Sequence, residues 1–121
     1  WVVALTRRDP DFEKAFANVP ADAFTILLHH SPDVALLLGE RKPDLVLAGH
    51  THGGQVVVPG FGAPITLTEL PRRYASGLFR EFGTTMYVNR GIGLEGRFAP
   101  QVRLFCRPEV ALFDLVSTRP D

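Results

Sequence analysis

Three short apolar runs, "WVVAL" at 1–5, "FTILL" at 24–28 and "DLVLA" at 44–48, constrain the fold of this chain more than any other feature. They are rich in aliphatic residues and do not alternate with polar ones, as expected of strands buried on both faces of a parallel sheet. The segments between them have helical spacing. In "DPDFEKAFANV" Phe12, Ala15, Phe16 and Val19 fall on one face, with Asp9 as the cap and Pro10 in the first turn. "SPDVALLLGERK" repeats the device: Ser31 caps, Pro32 opens the first turn, Asp33 lies near the positive end, and the helix stops around Lys42 and Pro43. After His52 the texture changes, because Gly, Pro and aromatic residues become frequent. There "QVVVPG", "TTMYVNR", "VRLFCR" and "EVALFDLV" read as strands between turn-rich loops. "LTELPRRYASGLF" fits no single state, and "STRPD" reads as a frayed end. The expected class is α/β, with early parallel strands and helices followed by a mainly antiparallel β tail.

The chain has 121 residues and 45% hydrophobic content, enough for one core and too little for two domains. Because it opens at Trp1 with a strand-like run, it is expected to be the downstream part of something longer. Thirteen basic residues balance thirteen acidic ones, which gives no field that would argue for nucleic acid or an anionic membrane. No run approaches the roughly 20 apolar residues of a membrane span, and there is no secretory leader pattern. Localisation stays open between the cytoplasm and association with a membrane or cell wall. A single cysteine, Cys106, excludes an internal disulfide and is expected to be a buried small hydrophobe. Any metal must then be held by imidazole, carboxylate or amide groups.

All four histidines lie between positions 29 and 52, and each pair follows an apolar run. In open α/β sheets ligands bind at the carboxyl ends of strands. Neighbouring parallel strands lie about 5 Å apart, so histidines at both ends can converge. If residues 50–52 are extended, His50 and His52 point to one side, while Gly53 and Gly54 let the backbone pass close to a ligand. The competing reading is a turn carrying two solvated histidines. His29 and His30 should face opposite ways; the Ser-Pro-Asp that follows places His30 at the rim and favours it as the ligand.

These residues carry a resemblance. "LAGHTHGGQ" resembles the closing motif of the calcineurin-like metallophosphoesterases, and "LLHHSPD" is similar to the motif before it. "YVNRGIG" and "RLFCRPEVALFDL" resemble the tail of a bacterial subfamily of membrane-associated and cell-wall phosphoesterases and UDP-diacylglucosamine pyrophosphatases. The likeness covers most of residues 24 to 117. It implies a four-layer αββα sandwich, of which 1–121 would be the C-terminal part of a single domain. It also implies a hydrolase with two divalent ions (Mn, Fe, Zn, Co or Ni) about 3.5–4 Å apart. His30 and His50 would serve one ion and His52 the other. Gln55, Asn89 and Arg90 are the candidates for binding a phosphate-ester substrate, though Arg90 could equally be paired with a surface acid. The family's Asp-x-His, Gly-Asp-x-x-Asp and Gly-Asn-His motifs do not occur here. The bridging aspartate, the asparagine ligand and the general acid are therefore expected upstream, in a missing N-terminal half. The chain alone is expected to hold at most one ion weakly, to hydrolyse little, and to self-associate through uncovered sheet. The rival readings are a non-catalytic domain with a structural or regulatory histidine metal site and an ordinary binding module.

Overall fold

The structure is a computed structural model that describes residues 1–5, 11–40, 42–96 and 101–117. Its centre is a five-stranded sheet in the order β1-β2-β3-β5-β4. The strands are β1 (Val2–Leu5), β2 (Ile26–His29), β3 (Leu45–Ala48), β4 (Gly77–Glu81) and β5 (Thr84–Val88). β1, β2, β3 and β5 run parallel, and β4 returns antiparallel to β5. The fold is thus mixed α/β, with the first three apolar runs as adjacent parallel strands.

One face of the sheet is the core. Val3, Leu27, Val46 and Met86 stand in register across β1, β2, β3 and β5, and the last three are fully buried. Each such side chain contributes about 1.5–3 kcal/mol on burial. Phe16, Val19, Val34, Leu70 and Tyr74 close over that face. The other face carries Ala4, Leu28, Leu47, Tyr87 and Leu78 in a second register row. It is apolar but open: Leu28 is 37% and Leu78 53% exposed. Phe113 meets Tyr87 edge-on there, with ring centroids 5.1 Å apart.

The helical segments are shorter than their patterns suggest. Helix α1 covers Phe12–Phe16, capped by Asp11, whose carboxylate accepts from Lys14 N at 2.9 Å. The expected cap Asp9 and Pro10 lie outside the described residues. The second segment is a single 3-10 helix, Pro32–Leu36, not an α-helix running to Lys42. Ser31 does cap it and Pro32 does open it. It ends early because the Leu37 N–H bonds back three residues to Val34 O, and Leu36 and Leu37 face outward.

The antiparallel tail is a further correction. Among the strands of the described residues only β4 and β5 pair that way, and β4 comes from the segment that fitted no single state. "QVVVPG" and "VRLFCR" contribute isolated bridges, Val56 with Leu104 and Val58 with Gly62. "EVALFDLV" forms no strand among the described residues. Gln55 and Phe105 take positive φ, 53° at each, and such turns stop a ladder from propagating. No helix among the described residues is long and apolar enough to cross a membrane.

Candidate metal centre

The parallel ladder continues into the site. Gly49 N donates to His30 O at 3.1 Å and Asn89 N donates to Ala48 O at 2.8 Å, so the chain leaves β2, β3 and β5 at one edge. His30 and Asn89 follow β2 and β5 directly, and His50 follows β3 after Gly49. The His30 and His50 rings are 4.6 Å apart between centroids, tilted by 52°. They line a cleft of about 740 Å³ with Asp33, Leu67 and Glu69. Burial, then the neighbouring His50, His29 and His52, hold the His30 imidazole below its ordinary pKa. This favours the neutral form that can act as a ligand.

The stretch between the paired histidines is not extended. His50 has φ 69° and His52 φ 49°, and His52–Gly54 forms a 3-10 turn. The expectation that a two-residue strand period aims both rings to one side is therefore wrong. Thr51 holds the turn instead: its buried hydroxyl accepts from Gly53 N at 3.2 Å and donates to Ala75 O at 2.5 Å. Gly53, at φ 64°, packs so closely that an added Cβ would lie 2.6 Å from Arg90 Cγ and 2.7 Å from Cys106 Sγ.

The rings of the pair present opposite nitrogens. His50 Nε2 lies 3.2 Å from Leu67 O, and His52 Nδ1 lies 3.2 Å from Gly93 O. A carbonyl oxygen only accepts, so each of these nitrogens carries the proton. In the neutral rings Nδ1 of His50 and Nε2 of His52 keep the lone pairs. A backbone carbonyl behind the protonated nitrogen is a common support for a metal-binding imidazole. His29 is half-buried and turned back on its own loop, with Nδ1 2.8 Å from Ser31 O. Among the described residues no group of three or more His, Cys, Asp or Glu is placed to hold a metal ion. The donor chemistry fits a divalent transition metal, and the structure brings together a histidine pair.

The other candidates are already engaged. Gln55 is 3% exposed, and its amide donates to Glu95 O and accepts from Glu95 N. Asn89 Oδ1 accepts from Gly91 N at 2.6 Å. Arg90 Nε donates to Glu109 Oε2 at 2.6 Å, the acid pairing weighed above. Cys106 is buried as expected, with Sγ 3.3 Å from His52 O.

Two groups escaped the sequence reading. The Asp33 carboxylate accepts from Glu69 N at 3.0 Å and Leu70 N at 3.2 Å, strapping the 69–70 loop to the cleft. Arg103 donates to the backbone carbonyls of His52, Arg90, Gly91 and Gly93. Neither pattern has a signature in sequence, because backbone groups are the partners.

Comparison with known proteins gives the family. The Bacillus subtilis protein named uncharacterized metallophosphoesterase YkuE is 37% identical over 110 residues, covering 91% of this chain and 37% of that protein. The phosphodiesterase YaeI of Escherichia coli is 42% identical over 102 residues, 83% of this chain and 34% of its own length. The UDP-2,3-diacylglucosamine pyrophosphatase LpxG of Chlamydia muridarum is 34% identical over 110 residues, 84% of this chain and 32% of its own length. No protein-family model and no solved structure matches the chain. The chain belongs to the calcineurin-like metallophosphoesterase family. It spans about a third of the length of the curated relatives it matches.

Proposed function

We propose that this chain supplies the histidine side of a metal-dependent phosphoesterase, acting on a phosphomonoester, phosphodiester or pyrophosphate. The observation that carries the reading is the approach of the His30 and His50 rings, 4.6 Å apart, at the ends of adjacent parallel strands. His30 and His50 would hold one divalent ion and His52 a second. When bound, such ions polarise a phosphoryl oxygen and make water acidic enough to attack. The chain's own part is to keep the His30 imidazole neutral, to fix which nitrogen of His50 and His52 is bare, and to orient those two rings from the carbonyls behind them.

The remaining donors and the proton donor would come from the portion of the relatives' length that this chain does not span, in a single domain of which residues 1–121 form the C-terminal part. The open face with Leu28 and Leu78 supports this placement, because a second sheet laid there would bury a row that is now solvated. A closed structural zinc site is less well supported. It needs about four converging donors, and the described residues bring no three together.

The test is metal titration by calorimetry with turnover of bis-p-nitrophenyl phosphate, on the 121-residue chain and on a version that restores the relatives' full length. At most one weakly bound ion and negligible turnover are expected for the chain, with two ions and turnover for the longer protein. Tight binding of two ions with turnover by the chain alone would overturn the division of the site. A longer protein that binds no metal and turns nothing over would overturn the function.

A further inference from the structure

The charge of Arg103 is used in an unusual way. Its Nη2 lies 2.9 Å from Arg90 O, 3.0 Å from Gly91 O and 2.7 Å from Gly93 O. Its Nη1 lies 3.1 Å from His52 O. The side chain is half-buried and forms no ion pair among the described residues. Four carbonyl dipoles pointed at one spot repel each other unless a cation lies between them. Positive φ at Gly91, 62°, and at His52, 49°, helps turn their carbonyls that way. A planar guanidinium fork can meet several of them at once, whereas an ammonium is a single point charge.

Two of those carbonyls belong to the histidine support. Gly93 O accepts from His52 Nδ1 as well as from Arg103, and His52 O is the backbone end of the same residue. Arg103 thus grips the root of the His52 side chain and the group that holds its ring. We propose that Arg103 is a positioning residue that fixes the His52 imidazole in its Nδ1–H form, leaving Nε2 bare. Its functional weight rests on the metal-centre reading above, but the structural effect does not need a metal. A histidine tautomer is set by the bond that its other nitrogen makes. Freeing Gly93 O from Arg103 lets the 92–94 loop move off the ring, and Nδ1 loses its acceptor.

The experiment reads the tautomer directly. Two-bond proton–nitrogen correlation spectra of the metal-free 121-residue chain should show a protonated Nδ1 and an unprotonated Nε2 for His52. The same pattern is expected in the Arg107→Lys control, whose side chain is exposed. In Arg103→Lys the pattern should move toward Nε2–H, and affinity for Mn²⁺ or Zn²⁺ in the longer protein should fall about 10- to 100-fold, as for other residues that support metal ligands. An Nε2–H form in the wild type, or an unchanged pattern in folded Arg103→Lys, overturns the proposal. If Arg103→Lys does not fold, guanidinium proton exchange in the wild type decides: Arg103 protons exchanging as fast as those of Arg107 overturn it, and protected ones sustain it. Absence of metal binding in the wild type would sink the metal-centre reading while leaving the tautomer result to judge Arg103.

Discussion

Replacing Gly53 by alanine should be among the costlier small substitutions in this chain, for two separable reasons. At φ 64° a Cβ is disfavoured by about 1–2 kcal/mol wherever it occurs. The new methyl would also lie 2.6 Å from Arg90 Cγ and 2.7 Å from Cys106 Sγ, well inside contact distance. Arg90 cannot simply withdraw, because Glu109 holds its Nε at 2.6 Å. Cys106 is buried, with Sγ against His52 O and Gly53 O. Overpacking of this kind costs about 1–3 kcal/mol. The sum is roughly 2–5 kcal/mol. Gly60 is the control, since its φ is 78° but nothing lies within 4 Å of an added Cβ. Gly60→Ala should carry only the backbone part. Urea unfolding of both variants should therefore separate them by about 1–3 kcal/mol. Trimming the obstacle in Gly53→Ala/Cys106→Ala should recover part of the loss as a coupling of about 0.5 kcal/mol or more. Equal destabilisation at 53 and 60, or no coupling to Cys106, would show that the turn after the histidines is not packed as described.

Asp33→Ala removes the acceptor for two backbone N–H groups, at Glu69 and Leu70, and should cost about 1–3 kcal/mol in denaturant unfolding; a neutral result would mean those amides find water without penalty. In a proton NMR titration His30 should titrate below the ordinary imidazole range, because burial and then His50 oppose its charge. The folded state then binds fewer protons than the unfolded one between the lowered and the ordinary value, so stability should decline as pH falls through that window; a His30 midpoint at or above the ordinary value would refute this. In the longer protein His30→Ala, His50→Ala and His52→Ala should each cripple metal binding measured by calorimetry. His29→Ala should do so far less, and greater damage from His29→Ala than from His30→Ala would show that the wrong member of the adjacent pair has been assigned.

The strands were legible where an unbroken apolar run marks a strand, although only one face of the sheet is covered among the described residues. β1, β2 and β3 are such runs, and β5 follows from "TTMYV". The strand-like stretches at 55–60 and 102–107 form only isolated bridges, because pairing depends on a partner and the positive φ at Gln55 and Phe105 breaks the line. The same limit explains the error at the paired histidines. A spacing of two predicts a shared direction only in extended chain, and nothing in "GHTHGG" announces that His50 and His52 themselves adopt left-handed conformations. The placement of the two histidine clusters at neighbouring strand ends was readable, since it follows from the order of apolar runs alone. The supports of the site were not. Thr51, Asp33 and Arg103 all act on backbone groups, whose positions are set only once the loops are folded.

The charges near the cleft also bear on how much of a metal site this chain can complete. Arg90 is matched by Glu109, Asp33 by two amides and the Ser31 hydroxyl, and Arg103 by four carbonyls. Of the carboxylates lining the cleft, Glu69 is the other one, and it completes no three-donor group with the histidines. Imidazoles are neutral ligands, so a bridged pair of divalent ions held by them alone would leave four positive charges uncompensated in the cleft. Mutual repulsion of such ions at bridging distance is severe unless anionic ligands lie between them. On the proposed reading, the carboxylates that make two ions tolerable must enter from residues this chain does not carry to the cleft. The histidine side would then be prepared first, with the His50 and His52 rings held from the carbonyls behind them, and the ions would load only as the anionic side closes over it.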